Sequence, residues 1–257
     1  MKKITSCQNI KVKHAAKLKS ACERRSSGLF IAEGLKLINE LVFAGYKVNS
    51  CFISENADIR LLPPQIEHEN VFVANENIMR KISALTTPQD FIAVSVIKES
   101  SQTDISDDFI LALDCIQDPA NMGAILRSAE AFGVKSVILG NGCCDVYSPK
   151  ALRAAMGSVF RLNIANTALN EFLNKKKAQG YDIIGTGLDK NYRTVDKLYM
   201  SPKKVLIIGN EGNGISKEIR DMCSFGMYIP MYGENESLNA AVAASIIMWE
   251  NKKQTNE

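Results

Sequence analysis

"IIGNEGNGIS", residues 207–216, decides how the second half of this chain is read. Gly209 and Gly214 stand at the spacing of the phosphate loop G-x-x-x-x-G-K-[ST], and Ser216 fills its last place. Ile215 stands where that loop carries its lysine, and Glu211 adds a negative charge inside the turn. The lysine offsets charge at the β- and γ-phosphates, so both changes oppose a triphosphate. The turn suits instead a neutral or cationic ligand that needs close approach to the backbone. It leads into a helix, "SKEIRDMC", whose first amides can hold Glu211 or an anionic fragment of a substrate.

The runs on either side set the fold class. "FILALDCI", "SVILG", "LNIAN", "YDIIGTGL", "KVLIIGN" and "MYIPM" read as strands, the longer ones apolar throughout, as buried parallel strands are. Helical stretches alternate with them: "NMGAILRSAEAFG", "SPKALRAAMGSVF" opened by Ser148 and Pro149, "ALNEFLNKKKAQG", and "SLNAAVAASIIMWENKK". The alternation predicts an α/β fold with an open, mostly parallel sheet and helices on both faces. Such sheets bind ligands beyond the carboxyl ends of their strands. The loops that matter follow residues 116, 140, 186, 209 and 231.

Residues 99–108, "ESSQTDISDD", are polar, acidic and without apolar period, and read as a linker. It divides the chain into residues 1–98, a smaller α/β domain, and 109–257. The first part shows a basic helix over 9–21. Then come the strand "LFIAEG", the helix "LKLINELVFAG" ended by Gly45, the strands "VNSCFIS" and "VFVA", the helix "NENIMRKISAL" and the strand "FIAVSVIK".

The 257 residues are 46% hydrophobic and 23% charged, the composition of a globular protein. The net charge is +3, but residues 1–25 carry six Lys and two Arg against Glu23 alone, a local +7 that leaves −4 for the rest. A basic amino-terminal face suits a polyanion such as RNA, with Lys11, Lys13 and Lys17 as contacts; a solvated helix face is the plainer alternative. The seven Cys include no C-x-x-C, which argues against a disulfide framework or zinc knuckle, and no metal is expected. Cys115 reads as a buried strand residue, and the two histidines, His14 and His68, as surface residues. No leader or run of 18 apolar residues is visible, so a cytoplasmic protein with no membrane partner is expected.

Three loops hold the chemistry. Asn121 can cap the helix after "QDPAN", and Arg127, six residues on, can reach back toward its start or pair with Glu130. "GTGLDK", residues 185–190, holds a G-x-G without the third glycine of a dinucleotide fingerprint. Ser237 and Asn239 open the last helix, where polar side chains cap free amides.

Together, "LDCIQDPANMGAILRSAEAFGV", "LIIGNEGNGIS" and "IPMYGENESLNAAVAASIIMWE" closely resemble the three motifs of the SpoU-type (TrmH-like) RNA 2'-O-ribose methyltransferases of the SPOUT superfamily, in order and spacing. "SPKALRAAMGSVFRL" resembles the same family, and the first half, with "LFIAEGLKLINE", resembles the ribosomal-protein-like substrate-binding domain attached to rRNA members. The resemblance implies a carboxyl-terminal α/β domain with a deep trefoil knot, S-adenosylmethionine (SAM) as methyl donor, and a homodimer with its site near the subunit interface. It implies Arg127 as the catalytic arginine, with Asn121, Glu211, Ser237 and Asn239 completing the site. It implies SAM contacts at Thr186, Gly187, Gly209, Ile229, Met231 and Leu238, and RNA phosphate at Arg153 and Ser158. The domain pairing favours 23S rRNA over tRNA. A non-catalytic RNA-binding module for ribosome assembly and, more distantly, a nicotinamide-dependent oxidoreductase are the competing readings.

Overall fold

The computed structural model describes residues 2–98, 105–188, 192–196, 201–234 and 237–256. Along the first of these lie β1 (Lys2–Ile4), α1 (Ile10–Lys17), α2 (Ala21–Ser27), β2 (Leu29–Glu33), α3 (Leu35–Phe43), β3 (Val48–Ser54), β4 (Val71–Ala74), α4 (Glu76–Ile82) and β5 (Phe91–Val96). Then come β6 (Phe109–Leu113), α5 (Pro119–Ala131), β7 (Ser136–Leu139), α6 (Pro149–Ala155), β8 (Asn163–Asn166), α7 (Leu169–Ala178) and β9 (Asp182–Thr186). The chain ends with β10 (Arg193–Thr194), β11 (Lys204–Ile208), α8 (Lys217–Met222), β12 (Phe225–Tyr228) and α9 (Ala240–Asn256). No helix among the described residues is long and apolar enough to cross a membrane.

The chain forms two compact units. The first is Met1–Glu99 with Asp145–Phe160, and the second is Ser100–Cys144 with Arg161–Glu257.

The first unit holds a five-stranded sheet of order β1-β4-β3-β5-β2, in which β5 runs antiparallel to β3 and β2. Successive strand residues face opposite ways. Ile31 of β2 joins Phe52, Phe72 and Ile92 in a core covered by Val12 and Ala15 of α1, Leu18 at its C-cap, and Ile78 and Ile82 of α4. Its neighbour Phe30 faces the other way and stacks on Tyr147 and Phe160 at ring distances of 4.9 and 5.9 Å. Burial pushes the Tyr147 hydroxyl far above the usual tyrosine range.

The basic stretch departs from one helix over 9–21. Asn9 caps α1, whose last turn closes at Leu18, and extended Ser20 starts α2. Lys11, Lys13 and Lys17 are exposed. Arg24 is buried at 3% exposure: its Nη1 donates to the Leu18 and Lys19 carbonyls at 2.7 and 3.0 Å, and its Nε to Asp145 at 2.7 Å. One of the amino-terminal charges is thus a structural clamp.

Asp145–Phe160, which the sequence places in the second domain, groups with the first unit through these contacts. Ser148 accepts from the Ala151 amide and Pro149 starts α6, as the pair predicts. The helix stops at Ala155, short of the expected "MGSVF". Met156 takes a left-handed conformation (φ 50°), and a Cβ on Gly157 (φ 92°) would lie 2.8 Å from the Glu40 side chain.

The second unit holds seven strands of order β10-β12-β9-β11-β6-β7-β8, each pair parallel. Ile110 and Ala112 of β6 face one core with Ile183, Val205 and Ile207, under Leu169 and Leu173 of α7 and Ile219 of α8. Leu111 and Leu113 point to the opposite face. There α5 packs on α9, with the Ser128 and Ser245 hydroxyls bonded at 2.7 Å. The strand order reverses at β6, which has β7 on one side and β11 on the other. The loops after β6, β9, β11 and β12 therefore share one edge.

Of the expected linker, residues 99–104 lie outside the described residues, whereas 105–108 belong to the second unit. Ile105 is 2% exposed, and its carbonyl accepts from the buried Lys176 ammonium. Asp107 accepts from the Ser136 hydroxyl, and the Asp108 carbonyl from the Lys204 amide. The last strand ends at Tyr228 rather than Met231: Pro230 has no N–H to offer a sheet ladder, and residues 229–231 turn out of it. Cys115 lies past the end of β6 and is half-buried with φ 58°, not within the strand.

Replacing Arg24 by Ala should lower stability by about 3 kcal/mol, the low end for a broken buried pair because Asp145 keeps contact with water. Urea denaturation followed by tyrosine fluorescence checks this; a midpoint equal to wild type would refute the clamp.

Candidate active site

Each loop at the shared edge is fixed by its own hydrogen bonds. After β6, Asp118 caps α5 by accepting from the Ala120 amide at 2.9 Å, and Pro119 fills the first helical place. Asn121 therefore stands in the first turn, aimed at the edge. Asp114, 7% exposed, accepts from the Ser216 amide at 2.7 Å. After β12, Asn239 caps α9, accepting from the Ala241 and Val242 amides at 2.9 and 3.3 Å.

The turn after β11 closes on itself. Asn210 and Gly214 exchange both backbone hydrogen bonds at 2.9 Å. The Asn210 Oδ1 accepts from the Gly212 and Asn213 amides at 2.9 and 3.2 Å, and its Nδ2 donates to the Cys115 carbonyl at 3.0 Å. A Cβ on Gly209 would lie 2.2–2.5 Å from the backbone of Gly214 and Ile215. These contacts explain the glycine spacing without a phosphate. A phosphate loop turns its amides to the ligand; here the amides of residues 210, 212, 213, 214 and 216 are already bonded within the protein. These turn amides are therefore not free to hold an anion. Glu211 instead accepts from the Asn121 Nδ2 at 2.5 Å.

Three of the five expected polar residues, one from each of three loops, thus form one chain. Asn239 donates to the Asn121 Oδ1 at 2.9 Å, and Asn121 donates to Glu211. Ser237 is exposed at the rim, and the capping role falls to Asn239. Arg127 is exposed on α5; Glu130, its candidate partner, is held by Arg161 at 3.0 Å. Among the described residues, no contact brings Arg127 into the polar chain.

Beside the chain lies a cavity of about 600 Å³, within the range of small-molecule sites. Thr186, Gly187, Gly209, Ile229, Met231 and Leu238 all line it, as do Glu211 and Ser237. The Thr186 hydroxyl bonds the Ile207 carbonyl at 2.9 Å, fixing the end of β9. Tyr192 packs so closely that a Cβ on Gly226 would lie 2.4 Å from its ring. Glu211 and Arg220 are the only residues with charged side chains among the described lining residues. Below, burial raises the Cys143 thiol to about 11, so it stays protonated and donates to the Leu113 carbonyl.

Two RNA candidates part company. Arg153 is exposed on α6, whereas Ser158 is 2% exposed in a tight turn and presents no surface to a phosphate. Asn210 and Asp114 escaped the sequence reading. An Asn directly after a glycine, two residues past an apolar strand, was the available signal for the first; nothing local marks the second.

Residues 108–249 match the SpoU rRNA methylase family. The chain belongs to that family. Residues 9–93 match the MRM3-like substrate binding domain. The chain is 32% identical, over 97% of its length and 98% of the relative's, to the 23S rRNA (guanosine(2553)-2'-O)-methyltransferase of Bacillus subtilis. It is 29% identical, over 90% and 85%, to the 23S rRNA (uridine(2479)-2'-O)-methyltransferase of Streptomyces viridochromogenes. An AdoMet-bound rRNA methyltransferase from Sinorhizobium meliloti superposes with a TM-score of 0.85 at 28% identity, covering 98% of this chain and 97% of that one. Membership in the SpoU family agrees with an α/β fold whose parallel sheet carries the site at one edge.

Replacing Asn210 by Ala should release the turn. Hydrogen exchange at the Gly212 and Asn213 amides is expected to speed at least tenfold while β11 keeps its protection; unchanged exchange would contradict the role given to this side chain.

Proposed function

We propose that this chain transfers a methyl group from SAM to a ribose 2'-hydroxyl in 23S rRNA. The observation that carries the reading is the Glu211–Asn121–Asn239 chain at the rim of the cavity, in a member of the SpoU family. The cavity fits SAM by its chemistry: backbone edges at Gly187 and Gly209, apolar walls from Ile229, Met231 and Leu238, and a carboxylate in place of a lysine. When bound, SAM supplies an electrophilic methyl group on a cationic sulfonium.

The protein's part is orientation and charge. Holding the acceptor oxygen in line can supply about 7–11 kcal/mol of the acceleration. Asn121 is fixed from both sides, so it is preorganised to orient the ribose. No histidine lies in the second unit, and an arginine stays charged below a pH of about 12. Arg127 is therefore read as binding the substrate phosphate and stabilising the developing alkoxide, while the proton leaves late. The exposed Lys11, Lys13, Lys17 and Arg153 would bind RNA phosphates. The expected setting is the cytoplasm.

The active form is read as a homodimer. Val242 and Trp249, seven residues apart on α9, are 47% and 56% exposed and form an apolar stripe that a second copy would cover. The family's trefoil knot, with the last helix threading a loop, is part of this reading.

Methyl-labelled SAM incubated with unmodified 23S rRNA and bulk tRNA, followed by digestion, should place label in a 2'-O-methylnucleoside of the rRNA. Label confined to tRNA would move the substrate, and binding of SAM without transfer would favour a non-catalytic module. Arg127→Ala should lower kcat about 10²–10³-fold with unchanged SAM affinity. If Arg127→Lys moved the pH–rate profile toward the lysine pKa, direct base catalysis would replace this role. Trp249→Glu should shift the protein from dimer to monomer in light scattering; a mass unchanged from wild type would refute the α9 interface.

A further inference from the structure

The loop between β12 and α9 carries a side chain that the polar chain and the cavity do not use. Tyr232 is 96% exposed, the most exposed large apolar side chain among the described residues. It follows Met231, which lines the cavity, and precedes Ser237 and Asn239 on the same loop. Leu188, on the loop after β9, also lines the cavity and is 60% exposed. An aromatic ring held in water contributes little to folding, and its apolar faces are available to a ligand.

The neighbouring glycine sharpens the point. Among the described residues other than its two chain neighbours, a Cβ on Gly233 would meet no atom within 4 Å, and its φ lies outside the left-handed range, so neither packing nor backbone conformation demands glycine there. Gly209 and Gly226 are the opposite case, with atoms within 2.5 Å of the added Cβ. Gly233 thus carries no side chain next to Tyr232 and is not held to glycine by packing among the described residues.

We propose that Tyr232 is the stacking platform for a nucleobase of the RNA at the catalytic cleft, a positioning residue for the ribose that is methylated. The proposal rests on the methyltransferase reading given above. Single-stranded RNA is held by stacking unstacked bases on aromatic side chains. Stacking tolerates any base, since each has a π face. That suits a scaffold whose relatives act on guanosine in one case and uridine in another. Gly233 adds no side chain of its own that would compete with the base for the ring.

The test is steady-state methyl transfer to a 23S rRNA transcript by wild type, Tyr232→Ala, Tyr232→Phe and Gly233→Val, with SAM affinity by calorimetry and mass by light scattering. Tyr232→Ala is expected to raise KM for RNA roughly tenfold or more, the effect of losing one base–aromatic stack. Tyr232→Phe should stay near wild type, because the ring and not the hydroxyl carries the contact. Gly233→Val should raise KM for RNA as well, with unchanged melting temperature. SAM affinity and mass should be the same in all four. A normal KM in Tyr232→Ala overturns the proposal alone. So does a defect accompanied by a lower mass, which would make Tyr232 a subunit contact, or by weaker SAM binding, which would make it part of the cofactor site. A wild-type enzyme that methylates no RNA overturns the parent reading and this one with it.

Discussion

A single carboxamide joins three loops at the carboxyl edge of the seven-stranded sheet. Asn121 donates through Nδ2 to Glu211 and accepts through Oδ1 from Asn239. Each partner is itself fixed: Asn239 by capping α9, Asn121 by its place in the capped first turn of α5, and Glu211 by the closed turn around Asn210. Asp or Ala at 121 could not replace it, since Asp lacks the donor and Ala lacks both groups. The chain also explains why the three motifs are far apart in sequence yet must be read together. A parallel sheet brings the carboxyl ends of β6, β11 and β12 to one edge, and only there can the three loops meet.

The same turn separates this site from a nucleotide-triphosphate loop on physical grounds. Similar glycine spacing can serve two ends. In one, free amides face an anion; in the other, glycines let the turn fold back on its own backbone. The mutual bonds of Asn210 and Gly214 and the crowding at Gly209 belong to the second case. With those turn amides occupied, the turn offers no row of free amides to a phosphate chain, and the charged side chains among the described lining residues are Glu211 and Arg220.

Much of this was legible in the sequence because the determinants are local. Apolar runs marked the central strands, and Ser148–Pro149 marked the start of α6. The three motifs marked the edge loops, and the six residues expected around the cofactor all line one cavity. What was hidden depends on distant partners. Arg24 reads as one more surface charge until Asp145 meets it, 121 residues away. The helix over 149–155 reads as continuous until Glu40 is seen to crowd Gly157. The acidic run before β6 looks like a linker because it lacks apolar period, yet its last residues are held by Lys176, Ser136 and Lys204. Ser158 shows the reverse error, a motif position carried over to a side chain that the fold buries.

The central claim is that Glu211, Asn121 and Asn239 act as one unit in catalysis. A double-mutant cycle on kcat/KM with Asn121→Ala and Glu211→Gln tests it most directly. If the claim holds, either single change is nearly as damaging as both, because each breaks the same chain. Additive losses in the double variant would mean that the two residues work independently, and the account of the site built on Asn121 would be wrong.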